Sequence, residues 1–121
     1  MAEIAMRAFD AVVETLRPGA TAGQVYKAWQ DIVDDAGLPL YQRHHCGYAV
    51  GIGCPPSWTG GNSVLGLKAQ SDLVLEVGMS FHVLSWLMGT GKGDYFISNP
   101  VLISADKTQV LTRTPFGPVV K

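Results

Sequence analysis

Charge of one sign is in short supply in this chain: nine Lys and Arg stand against ten Asp and Glu, for a net charge of −1. The basic residues are scattered, which leaves no stripe for a nucleic-acid backbone or an anionic membrane surface. Hydrophobic residues make up 47% of the sequence, yet no run reaches the roughly 18 residues that cross a bilayer. The opening MAEIAMRAFD does not have the pattern of a signal peptide. Cysteine is scarce as well. Cys46 and Cys54 form neither a disulfide framework nor a zinc-ligand spacing, and are read as reduced, buried thiols of a cytoplasmic protein. Ser57 and Ser63 lack the Gly-x-Ser-x-Gly elbow of a serine hydrolase. Gly89-Thr90-Gly91-Lys92-Gly93 lacks the spacing and the following helix of a phosphate loop, and reads as a hairpin turn. With no repeat, low-complexity tract or linker, residues 1–121 are read as a single domain.

What is present begins with two helices. Between residues 3 and 16, Ile4, Ala5, Ala8, Phe9, Val12, Val13 and Leu16 recur at helical spacing, and Pro18-Gly19 ends the run. Thr21 and Gln24 have the spacing of a capping box. Val25, Ala28, Trp29, Ile32, Val33 and Ala36 then form a second stripe, and Gly37 suits the position after its last turn. Beyond Pro39 the period shortens. Strand-type runs are expected around residues 49–52, 73–75, 79–87, 95–97, 100–103 and 109–112. Strands with no helices between them predict an antiparallel sheet. The run 80–86 alternates but carries apolar residues on both faces, so it is expected at the centre of the sheet, with the helices covering one side. The fold class is therefore α+β.

The segment from His44 to Trp58 concentrates the chemistry. Its glycines at 47, 51 and 53 permit close approach by a ligand or another backbone. Pro55-Pro56 stops the strand and holds Trp58 on a stiff loop. This is the composition of a pocket wall. His45 is expected to point away from His44 and to be structural or exposed. Glu76, before Gly78-Met79, is expected to serve a turn cap or an ion pair.

Leu16-Arg17-Pro18-Gly19, Thr21-Ala22-Gly23, His44-x-x-Gly47-Tyr48, Val74-Leu75-Glu76-x-Gly78-Met79, Phe81-His82 and Ser98-Asn99-Pro100-Val101-Leu102-Ile103 occur in one order along nearly the whole chain. Together they resemble the C-terminal half of the creatinase/prolidase/methionine-aminopeptidase family, peptidase clan M24, whose fold is the pita-bread. The variant Gly47-Tyr48-x-x-Gly51 with Pro55-Pro56-x-Trp58 is most similar to the ectoine-hydrolase and creatinase-like branch. The resemblance implies a truncated pita-bread domain that hydrolyses a C–N bond in a small amino-acid derivative or an Xaa-Pro peptide.

It also implies where the sequence departs. Metal-dependent relatives hold two divalent ions with two aspartates, one histidine and two glutamates. The aspartates belong to strands ahead of the helix pair, where this chain begins. The histidine position is Tyr48, and the glutamates fall at about Leu84 and Ser98. These side chains cannot replace oxygen and imidazole ligands around a hard dication, so no metal ligand and no cofactor is expected within the chain. His44 and His82 are the expected catalytic residues, polarising the scissile group or shuttling a proton. Tyr48 is the expected hydrogen-bond partner of a substrate carboxylate. Trp58 and Trp86 are expected to supply an aromatic wall for a small cationic or amidine-like ligand. The alternative is a catalytically inactive binding or assembly module that keeps the pocket's shape. A half-domain is expected to leave an open sheet edge and an uncovered apolar surface, and residues 79–87 carry no charge to protect a free edge. A homodimer or a separate N-terminal half is therefore expected as partner.

Overall fold

A computed structural model of the chain describes residues 1–51 and 64–118. Helices α1 (Ala2–Thr15) and α2 (Ala22–Asp35) precede strands β1 (Gly47–Ala49), β2 (Ser80–Leu87), β3 (Tyr95–Leu102) and β4 (Gln109–Val110). The strands form one antiparallel sheet in the order β1-β2-β3-β4. Local chemistry sets the helix boundaries. Gly19 turns the chain after α1 at φ +86°. The capping box is complete: Gln24 N–H donates to Thr21 Oγ1 at 3.2 Å, and Thr21 N–H to Gln24 Oε1 at 2.9 Å. Gly37 closes α2 at φ +79°, where a side chain would be strained.

The core lies between the helices and one face of the sheet. Ala5, Ala8, Phe9 and Val12 of α1 and Val25, Trp29 and Val33 of α2 are buried with Phe81, Val83 and Leu87 of β2 and Ile97 and Val101 of β3. Strand β2 alternates strictly, with its odd-numbered residues buried and its even-numbered residues half-exposed. One polar bond crosses this core: the Trp29 indole N–H donates to Ser85 Oγ at 3.1 Å, both side chains being buried. Burial satisfies each group only because the other is present.

The sequence expectations hold for both helices and for β2; β1 lies at Gly47–Ala49 rather than at 49–52, and three further points need correction. Residues 95–97 and 100–103 were expected as separate runs, but β3 is continuous through Pro100. The Pro100 carbonyl accepts from Leu111 N–H at 2.9 Å, away from β2. Its nitrogen faces the same side, so no bond to β2 is lost. Residues 73–75 make only a bridge, Thr21↔Val74, because their backbone partners lie in the short α1–α2 connection. Residues 79–87 are not an edge: β2 runs between β1 and β3, so edge pairing by this segment is ruled out as a route to dimerisation.

Close approach explains Gly47. A Cβ there would sit 2.9 Å from the His82 carbonyl oxygen, 2.9 Å from Leu67 Cδ1 and 3.2 Å from Val83 Cα. Cys46, beside it, is buried, and that burial pushes its thiol up to about 12. Its backbone is bonded on both sides, by N–H to Leu67 O at 2.9 Å and by C=O to Leu84 N–H at 2.8 Å. Cys54 and Trp58 fall outside the described residues.

Candidate functional site

The sheet face opposite the helices carries the even-numbered residues of β2 and β3. Across the strands, Tyr48 pairs with His82 and His82 with Pro100; Leu84 pairs with Ser98 and Trp86 with Phe96. All are half-buried except Phe96, which is exposed. The ring of Tyr48 lies 5.4 Å from that of His82 at an interplanar angle of 30°. The His45 ring meets Tyr48 edge-on, 5.7 Å away at 88°. These three rings form a row at the β1 end of the face, and Trp86 and Phe96, 4.9 Å apart, form a second cluster further along β2.

Tyr48 and His82 are thus together, as the sequence suggested. His44 is not with them: it is exposed, while its neighbour His45 is turned onto Tyr48. The expected strand alternation does not apply here, because β1 begins only at Gly47 and the chain bends before it. Glu76 is exposed in the turn before β2, where its N–H faces Met79 Sδ at 3.4 Å. Desolvation lowers the pKa of His82, and of His45, where the charges of Arg43 and His44 add to the effect. At neutral pH both rings are therefore held as neutral imidazoles, able to accept a proton. His45 Nδ1 is buried with no hydrogen-bond partner among the described residues, a position that calls for a water or a ligand atom.

Trp86 is already engaged. The Arg43 guanidinium carbon lies 5.1 Å from its ring centroid, so the π face expected to take a cationic ligand holds a cation of the protein's own. Nothing in the sequence marks this pair. It depends on the Tyr26 hydroxyl, which donates to the Arg43 carbonyl at 2.7 Å and accepts from the Arg43 N–H at 3.3 Å.

The three positions that the resemblance assigns to metal ligands do converge on this face, with Leu84 and Ser98 directly paired and Tyr48 in the adjoining row. The donors do not follow. An isobutyl group offers no lone pair, and one phenol and one hydroxyl do not make the oxygen-rich shell a dication requires. Among the described residues no group of three or more His, Cys, Asp or Glu is arranged to hold a metal ion. The residues present therefore do not fit a dinuclear site.

Comparison with known proteins places this architecture. The model of metallopeptidase family M24 matches residues 1–105. A probable dipeptidase PepE of Mycobacterium tuberculosis is 31% identical over 114 residues, covering 94% of this chain and 28% of that protein. The ectoine hydrolase of Halomonas elongata is 28% identical over 103 residues, covering 85% of this chain and 25% of its own length. The crystal structure of dipeptidase PepE from Mycobacterium ulcerans superposes with a TM-score of 0.78 at 27% identity, over 96% of this chain and 29% of that one. The chain spans under a third of the length of these relatives, and its two helices and four-stranded sheet are part of the pita-bread fold. On the family match over residues 1–105, the chain belongs to metallopeptidase family M24.

Proposed function

We propose that this chain forms one wall of an M24 hydrolase site that cleaves a C–N bond in a small amino-acid derivative or Xaa-Pro peptide, without a metal pair held by its own residues. The observation that carries this reading is the ring row His45–Tyr48–His82 on the sheet face where the family's reaction centre is expected. A neutral His82 accepts the proton of an attacking water and returns it to the leaving nitrogen. The Tyr48 phenol donates a hydrogen bond to the substrate's carbonyl or carboxylate oxygen. His45, whose Nδ1 has no hydrogen-bond partner among the described residues, takes the catalytic place expected of His44, which is exposed. Acid–base groups beyond these come from a covering partner, a second copy or a polypeptide carrying the other half of the fold. In this reading the partner docks on the face, because the outer strands β1 and β4 are only three and two residues long. The protein acts in the cytoplasm, and among its described residues no helix is long and apolar enough to cross a membrane.

The test is hydrolysis of ectoine, creatine and Xaa-Pro dipeptides followed by mass spectrometry, with and without Mn(II). His82→Ala should lower turnover by about 10²–10⁴-fold. A second reading, an inactive binding or assembly module, is favoured by the absence of any carboxylate among Tyr48, His82, Leu84, Trp86, Phe96, Ser98 and Pro100. Ligand-induced thermal stabilisation with no product formed at any substrate would select that reading instead.

A further inference from the structure

The stacking of Arg43 on Trp86 reverses the charge that the aromatic part of this face can recognise. An exposed indole attracts cations; an indole already covered by a guanidinium presents that guanidinium's outward N–H groups instead. We infer that Arg43 is a carboxylate-docking residue, taking the terminal carboxylate of the substrate at the Trp86–Phe96 end of the face. The inference rests on the hydrolase reading only for the word substrate; the anion site itself stands on independent geometry.

Three observations support it. First, among the described residues Arg43 pairs with no carboxylate: the ion pair there is Lys27–Asp31, on the exposed side of α2. Second, the residue is held in place. Tyr26 bonds both polar backbone groups of Arg43. Two residues earlier, the Tyr41 hydroxyl donates to the Trp86 carbonyl at 3.1 Å and accepts from Met88 N–H at 3.0 Å. Gln30 also donates to the Tyr41 carbonyl at 2.8 Å. The segment carrying Arg43 is thereby tied both to α2 and to the end of β2, so little ordering remains to be done on binding. Third, the sheet face carries no acidic side chain among its described residues to compete with a bound carboxylate.

Geometry then narrows the substrate. Trp86 is four residues from His82 on the same face of β2, roughly 13 Å along the strand. A molecule that reaches both ends carries its carboxylate well away from the bond that reacts. That describes an extended acyl-amino acid or peptide better than a compact guanidino acid.

The test is an NMR titration of the intact chain with N-acetylglycine, its neutral analogue N-acetylglycinamide, and ethylguanidinium. The resonances followed are the Arg43 Nε–H and the Trp86 indole N–H, the latter assigned with Trp86→Phe. N-acetylglycine should shift both, more weakly as salt is raised, and the amide should shift neither. Arg43→Met should weaken N-acetylglycine about tenfold or more and, by uncovering Trp86, let ethylguanidinium shift the indole resonance where it does not in the parent protein. If the amide shifts the same resonances as the acid, or if Arg43→Met leaves the N-acetylglycine titration intact, the assignment is overturned. Ethylguanidinium binding at Trp86 in the parent protein would overturn it too. His82→Ala should leave the carboxylate titration unchanged, so a failure of the hydrolase reading, seen as missing turnover, is distinguishable from a failure of this one.

Discussion

Replacing Gly47 with alanine adds one methyl group at the point where β1 lies tightest against its neighbours. The new carbon would stand 2.9 Å from the His82 carbonyl oxygen and 3.2 Å from Val83 Cα, both backbone atoms of the central strand, and 2.9 Å from Leu67 Cδ1. The leucine can rotate aside only by disturbing a core in which it is fully buried. The strand cannot move without pulling on its register with β3. Overpacking of this kind destabilises by about 1–3 kcal/mol, or roughly 4–12 °C in Tm for a domain of this size. Gly66 provides the internal control. It bridges to Tyr48 on the other side of β1, but a Cβ there meets nothing closer than 3.7 Å. Calorimetry and urea unfolding should therefore show Gly47→Ala well below the parent and Gly66→Ala close to it. Because Gly47 precedes Tyr48, the Tyr48–His82 stacking should loosen as well, visible as a change in His82 ring shifts. Equal stability of the two variants would refute the claim that close approach, rather than turn geometry, selects glycine at 47.

Ser85→Ala should cost about 1–3 kcal/mol by stranding the buried Trp29 indole N–H. Most of that loss should vanish in a Trp29→Phe background, a double-mutant cycle readable by denaturant unfolding. Burial lowers the pKa of His82 and His45 in the fold, so the unfolded chain binds protons more readily. Stability should be at its full value above about pH 6.5 and decline as pH falls toward the lower folded-state values; His45→Gln with His82→Gln should flatten that decline. Elemental analysis of purified protein should find Mn, Co and Zn well below one equivalent, since Tyr48, Leu84 and Ser98 offer no dication shell. One or two equivalents lost together with activity on chelation would contradict this. Light scattering at micromolar concentration should give twice the chain mass when no other partner is supplied, and a monomer stable to dilution would refute face-to-face pairing.

The helices and the central strand were legible because their signals are local. The Thr21–Gln24 box, the apolar spacing of α1 and α2 and the alternation of β2 each lie within a dozen residues. The site was half legible. Tyr48 and His82 could be placed on one face by motif and period, but the exchange of His45 for His44 could not, because it depends on a bend before β1 where no period operates. Arg43 was invisible for a different reason. Its partner on the sheet is 43 residues away in sequence, and its position is fixed by the Tyr26 hydroxyl of α2 and by the bond from Tyr41, on its own segment, to the end of β2. Pro100 misled because proline's cost in a strand depends on which way its nitrogen faces, and that is a property of the sheet.

The buried thiol of Cys46 makes the attachment of β1 measurable in the native state. Its sulfur reacts as thiolate, and at its buried position the proton is held up to about 12. Reaction therefore requires the segment to lift away. Lifting it breaks the bonds from Cys46 to both Leu67 and Leu84, so the rate of labelling by a disulfide reagent, in a Cys54→Ser background, reports the opening equilibrium of that strand alone. The same strand carries Tyr48. A ligand that engages the ring row should slow labelling at Cys46 without touching it, and one that binds elsewhere should leave the rate as it was.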